Sequence, residues 1–174
     1  LVGRKIEEVV FGLASLKPFE KRLSGRTVTA VDTRGKAMLT RFDNDLTIYS
    51  HNQLYGRWFI RSRGDLPDTS RQLRLAIHTR EKSALLYSAS DIEVLGEEEL
   101  DRHPFLAKLG PDLLDAETTP ALLRRRLADP RFRGRALGSL LLDQGFVAGI
   151  GNYLRSEILF FAGLPPERRP ADLG

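Results

Sequence analysis

The chain has 174 residues, enough for one large or two small domains, and 41% of them are hydrophobic, enough to bury a core. It contains no cysteine, which excludes disulfides and thiolate zinc sites, and no run near the ~18 apolar residues that a membrane-spanning helix needs. The net charge of +4 comes with arginines gathered from Arg124 to Arg135 and acids from Ser90 to Asp101; such a run is most often a solvated face, so charge alone points only weakly to nucleic acid.

The opening LVGRKIEEVV lacks the long apolar stretch and small-residue cleavage site of a signal peptide. From Thr27 the chain reads as strands. TVTAVDTRGKAMLTRF holds two runs rich in Val, Thr and apolar residues, broken by the turn signal Arg34-Gly35. Phe42 and LTIYS flank a second turn, in which Asn44-Asp45 tolerates positive φ. RWFIRS, RQLRLAIHT and SALLYSAS follow, separated by GDLPDTS and REKS. Strands at short intervals, without helices between them, predict an antiparallel sandwich or barrel.

The second half changes period. TTPALLRRRLADP starts with a Thr119 cap and Pro120 in the first helical position, and stops at Pro130. Leu122, Leu123 and Leu127 line one face and the arginines take the other. In RALGSLLLDQGF, Leu137, Leu140, Leu141 and Gln144 fall at i, i+3, i+4 and i+7; from Asn152, Leu154, Ile158 and Phe161 share a face. The expected fold is α+β: an antiparallel β-sandwich over residues 1–109, a linker over 110–118 and a helical domain over 119–174.

Between the last two helices lie Gly145, Gly149 and Gly151, with Asn152 at the mouth of the final helix. A helix N-terminus leaves N–H groups unpaired and carries partial positive charge, and glycines let a loop backbone approach a bulky anion. This fits a phosphate seat, with the Asn152 amide as a further donor. The alternative is that Asn152 only caps the helix and the glycines only make a turn. A dinucleotide fingerprint fails, because its third glycine would fall on Leu154 and a helix, not a strand, precedes the loop.

LLDQGFVAGIGNYLRSEIL resembles the helix–two-turns–helix element of the endonuclease VIII and formamidopyrimidine-DNA glycosylase family. RGKAMLTRF, YSHNQLYGRW, LLYSASDIEVL, HPFLAKLGPDLLD and DPRFRGRALGSLLLDQ are similar to its bacterial endonuclease VIII branch, in family order over most of the chain. The resemblance implies a base-excision repair enzyme that flips oxidised pyrimidines out of duplex DNA, removes them and cleaves the strand at the abasic sugar. It implies that Gln53, Leu54 and Tyr55 enter the duplex, Leu54 as an apolar wedge and Tyr55 as a stacking surface. Read locally, the same loop would pack its Leu and Tyr on the core. The resemblance also puts Lys36 in the active site, against the phosphate beside the lesion, where local chemistry reads only a lysine in a strand turn. Asn152, with the backbone of Gly149 and Gly151, binds phosphate by the same carry-over; Asp143 and Glu157 match acids of the same element and are expected to cap helices or orient neighbours rather than react.

The family's nucleophile is an N-terminal proline amine followed by a glutamate, forming a Schiff base with the sugar. This sequence opens with Leu1-Val2, and without cysteine it cannot hold the family's four-cysteine zinc finger. The 174 residues alone are therefore expected to be inactive, with no cofactor or metal, and to act as a monomer on damaged double-stranded DNA in a bacterial cytoplasm, away from membranes. The competing readings are a non-catalytic nucleic-acid-binding module and an interaction sandwich with solvated basic helices.

Overall fold

The structure, a computed structural model, describes residues 1–173. The chain forms two compact units, the first ending at His103 and the second beginning at Pro104.

In the first unit the strands are β1 (Glu8–Phe11), β2 (Val28–Arg34), β3 (Ala37–Phe42), β4 (Thr47–His51), β5 (Arg57–Ser62), β6 (Leu73–His78), β7 (Lys82–Tyr87) and β8 (Asp91–Leu95). Two short helices, α1 (Glu20–Leu23) and α2 (Glu97–Asp101), accompany them. One sheet runs β1-β6-β7-β5 and the other β2-β3-β4-β8, with every pairing antiparallel. Alternate side chains of both sheets meet in one cluster: Val9, Phe11, Leu75, Ile77 and Leu86 from the first, Val28, Phe42, Ile48, Ile92 and Val94 from the second. This is the expected sandwich.

The Arg34-Gly35 signal closes the β2–β3 hairpin, with Arg34 opposite Ala37. The second turn places its positive φ on Asp45, at 62°. The sequence reading missed β1 and β8. Only four residues long, β1 shows no alternation worth counting; its outer N–H groups are taken by α1 and its C-cap, Phe11 donating to Glu20 Oε1 at 2.7 Å and Val9 to Ser24 Oγ at 3.0 Å. In β8 the acids Asp91 and Glu93 mask an ordinary period-2 pattern, since Ile92 and Val94 face the core.

The second unit contains α3 (Pro120–Ala128), α4 (Leu137–Leu140) and α5 (Asn152–Ala162). Thr119 caps α3 as expected, its Oγ1 accepting from Leu122 N at 3.2 Å. Three expectations need correction. Residues 110–113, read as part of a linker, lie along the turn at 144–148. Gly110 N donates to Gln144 O, Ala148 N to Pro111 O and Leu113 N to Ala148 O, so this segment belongs to the helical unit. Helix α4 stops at Leu140, four residues before Gln144, because the chain tightens into i→i+3 bonds at Leu142 and Asp143. On α5 the core meets Leu159, with Ile158 half-buried, and leaves Phe161 exposed.

Candidate nucleic-acid interface

In the sandwich unit, the pair Ala37–His51 brings the start of β3 beside the end of β4. The Lys36 turn and the loop after His51 therefore share one end of a single sheet. Lys36 is exposed and makes no ion pair among the described residues. The loop from Asn52 to Gly56 is braced by its own backbone. Gly56 N donates to Asn52 O at 2.7 Å, and a Cβ on Gly56 would sit only 2.5 Å from that oxygen, so no other residue fits there. Arg71 holds the Tyr55 carbonyl at 2.6 Å, and Ser90 donates to Gln53 Oε1 at 3.1 Å. Gln53 takes a left-handed φ of 51°, a conformation that side chains adopt at a cost.

This bracing holds apolar side chains out in water. Leu54 is 78% exposed and Tyr55 68% exposed. The local reading, in which they pack on the core, does not describe this loop.

In the helical unit the turn between α4 and α5 is pinned from three directions. Arg126 of α3 reaches over it, Nε donating to Phe146 O and Nη2 to Gly145 O, each at 2.7 Å, with its guanidinium 5.1 Å from the Phe132 ring. Arg126 is thus not on a solvated face, as the helical wheel had it. The Asp143 carboxylate accepts from Gly145 N at 2.8 Å and pairs with Arg135. The Gln144 carboxamide accepts from Gly149 N and donates to the carbonyls of Leu142 and Ile150, all at 3.0 Å.

The fourth side is open. Gly151 is the N-cap of α5 and no side chain caps the helix. Asn152 is the first helical residue, not the cap; its side chain is exposed and has no hydrogen-bond partner among the described residues. The N–H groups of Asn152, Tyr153 and Leu154 head the helix, where no preceding carbonyl reaches them, and the macrodipole adds positive potential. Gly149 is corrected as a donor, since its N–H is held by Gln144; its contribution is the φ of 95° that only glycine adopts freely. Of the other arginines, Arg131 is bound to Asp129 and Arg135 to Asp143, while Arg124, Arg125 and Arg133 are exposed. Glu157 is exposed.

Burial pushes the Asp143 carboxyl up, but Arg135 and the N–H groups of Gly145 and Phe146 outweigh it and hold the group below its ordinary value. A carboxyl depressed on folding contributes stability above its unfolded pKa and loses it as pH falls through the folded value. Asp143→Asn is therefore expected to lower the stability of the helical unit at neutral pH and to flatten its acid loss below about pH 4, the ordinary Asp range. Circular dichroism against pH checks this; an unchanged acid slope would contradict it.

The sequence reading also missed a polar cluster on the outer face of the second sheet. Tyr49 pairs with Glu93 and His51 with Asp91 across β4 and β8. His51 Nδ1 lies 3.3 Å from Asp91, and His103, 3.4 Å from Glu93, stacks on Tyr49 with ring centroids 4.4 Å apart. Burial, with the charges of Asp91 and Glu93, pushes the Tyr49 hydroxyl well above its ordinary range. The alternation in YSH and DIE was the available signal. Among the described residues no group of three His, Asp or Glu side chains could hold a metal ion. No helix among them is long and apolar enough to cross a membrane.

A sandwich with a braced apolar loop, followed by an open, glycine-loosened helix mouth, defines a helix–two-turns–helix protein with an N-terminal β domain. Residues 1–91 match the formamidopyrimidine-DNA glycosylase N-terminal domain and residues 109–174 the formamidopyrimidine-DNA glycosylase H2TH domain, and the chain belongs to that family. It is similar to Endonuclease 8 of Salmonella typhimurium strain LT2 and of Salmonella enteritidis PT4, 53% identical to each over 171 residues. Those matches cover 98% of this chain, which spans 65% of the length of these curated relatives. Among solved structures, it shares the fold of Lactococcus lactis Fpg in complex with DNA containing an abasic site, with a TM-score of 0.83 and 22% identity, over 100% of this chain and 65% of that one. An inhibited form of that protein with N7-benzyl-Fapy-dG DNA matches at a TM-score of 0.82 and 22% identity, over 99% and 66%.

Proposed function

We propose that this chain is the lesion-gripping part of a bacterial DNA glycosylase and AP lyase acting on oxidised pyrimidines in duplex DNA. The observation that carries the reading is the exposure of Leu54 and Tyr55 on a loop that the protein spends several hydrogen bonds to hold rigid. A protein that only tracks a phosphate backbone has no use for a stiff apolar finger. An enzyme that extrudes a base must fill the gap left behind, and an aliphatic side chain beside an aromatic one does that.

Lys36, on the same sheet end, contributes its ammonium to the phosphate beside the extruded nucleotide. In the helical unit, the amides heading α5 and the Asn152 carboxamide receive a backbone phosphate, with Gly149 and Gly151 shaping the approach. The relatives support this reading: the similar Salmonella proteins are named Endonuclease 8, and the Lactococcus protein of the same fold holds abasic DNA. The Schiff base of this chemistry forms on an N-terminal proline amine, and these residues supply the grip on the DNA. The proposed setting is the bacterial cytoplasm, where the protein works on DNA as a monomer, without a cofactor within these residues.

Leu54→Gly and Tyr55→Ala test the wedge. Both are expected to leave affinity for undamaged duplex unchanged and to weaken binding to duplex carrying an abasic analogue, by about 1–3 kcal/mol for the lost stacking surface of Tyr55. Fluorescence anisotropy on both duplexes, at one fixed salt concentration, measures the difference. Equal losses on the two duplexes would remove the loop from the lesion.

A further inference from the structure

We infer that Gln144 is a positioning residue for the phosphate seat, acting through Gly149; this rests on the DNA reading above. Its carboxamide makes three hydrogen bonds at once, and each fixes a different part of the turn. Oε1 accepts from Gly149 N at 3.0 Å. Nε2 donates to Leu142 O and Ile150 O, both at 3.0 Å. The side chain thus ties the exit of α4 to the entrance of α5, while the backbone carbonyl of Gln144 accepts from Gly110 N. Only a carboxamide offers an acceptor and two donors on one planar group, so the set cannot be reproduced by a carboxylate or a hydroxyl.

The consequence is directional. With Gly149 N–H turned inward to Gln144 and Ile150 O held by the same group, the backbone enters the extended Gly151 cap with φ −111° and ψ 179°. The next N–H groups, on Asn152, Tyr153 and Leu154, head the helix without a backbone acceptor among the described residues. Gly149 itself holds φ 95°, a conformation with little backbone preference of its own, so it needs an external tie to stay there when no phosphate is bound. Gln144 touches neither the phosphate nor the reacting atoms in this assignment; it keeps the seat formed in the free protein, so that binding incurs no cost of ordering the loop.

Two variants test this on the whole chain. Gln144→Met keeps the length and removes all three bonds; Gln144→Glu keeps the acceptor for Gly149 and, when ionised, loses both donors. Against an abasic-analogue duplex at neutral pH, each is expected to bind about tenfold more weakly than wild type or worse. Relative to wild type at each pH, the Glu variant is expected to recover as pH falls through the ordinary glutamate range, about 4.3, because a protonated carboxyl donates to Ile150 O again, while the Met variant stays flat. In the ¹⁵N-labelled free protein, both variants should displace the Gly149 and Gly151 amide resonances. If Gln144→Met fails to fold, the pH response of the Glu variant carries the test.

A Met variant that binds like wild type, or a Glu variant with no recovery on acidification, would overturn the assignment of Gln144. Absence of duplex binding by the wild type would instead sink the DNA reading. The Gly149 resonance then still decides whether Gln144 sets the turn, with an unmoved signal counting against it.

Discussion

Arg126→Ala is expected to cost the helical unit about 3–5 kcal/mol, a large share of the stability of a unit this size at ~0.05–0.15 kcal/mol per residue. Arg126 donates to the carbonyls of Gly145 and Phe146 at 2.7 Å each, and hydrogen bonds from a charged donor contribute about 1.5–3 kcal/mol apiece. Its guanidinium also lies 5.1 Å from the Phe132 ring and 5.9 Å from that of Phe146, a cation–π contact that adds roughly 0.5–1 kcal/mol. Truncation leaves two part-buried carbonyls without a donor and opens the space between two aromatic rings that themselves pack edge to face at 5.1 Å. Helix propensity offsets little, since Arg and Ala are both good formers. Arg126→Lys should recover only part of the loss, because a single ammonium cannot span two carbonyls in a fork. Urea unfolding followed by helical circular dichroism reads both variants. Superimposable wild-type and Arg126→Ala curves would mean that the turn is held elsewhere.

What could be read from the sequence was whatever the chain encodes locally. The Thr119-Pro120 start of α3, the Arg34-Gly35 hairpin and the open mouth at Gly149-Ile150-Gly151-Asn152 each follow from a few adjacent residues, and each is in place. What failed depended on partners distant in sequence. Arg126 looked like one of three solvated arginines until the turn it grips, some twenty residues on, folded beneath it. Gln144 read as the fourth member of a helical stripe, because nothing local shows that the helix ends at Leu140 and that the amide turns back to Gly149 and Ile150. Strand β1 is four residues long and depends on β6 and on the side chains of Glu20 and Ser24 for its hydrogen bonds, so no periodicity could reveal it. The candidate site followed the same division. The family resemblance supplied Lys36 and Gln53–Tyr55, but only the fold shows that the loop is braced with its apolar side chains outward.

The second large effect concerns the seat itself. A backbone phosphate is proposed to sit at the head of α5, where three N–H groups have no backbone acceptor among the described residues and one exposed carboxamide stands beside them. Backbone amides cannot be deleted by substitution, but Asn152 can. Its side chain is exposed and has no hydrogen-bond partner among the described residues, so Asn152→Ala should leave folding intact: Gly151, not Asn152, is the N-cap, and Ala is the stronger helix former at the first helical position. The loss should then appear in binding alone, at about 1.5–3 kcal/mol for a hydrogen bond to a charged oxygen, or about ten- to a hundredfold in affinity. The direct measurement is an anisotropy titration of wild type and Asn152→Ala against an abasic-analogue duplex at one salt concentration, with unfolding curves recorded alongside. Tenfold or greater weakening with unchanged stability is the predicted result; equal affinities for the two proteins would contradict the account.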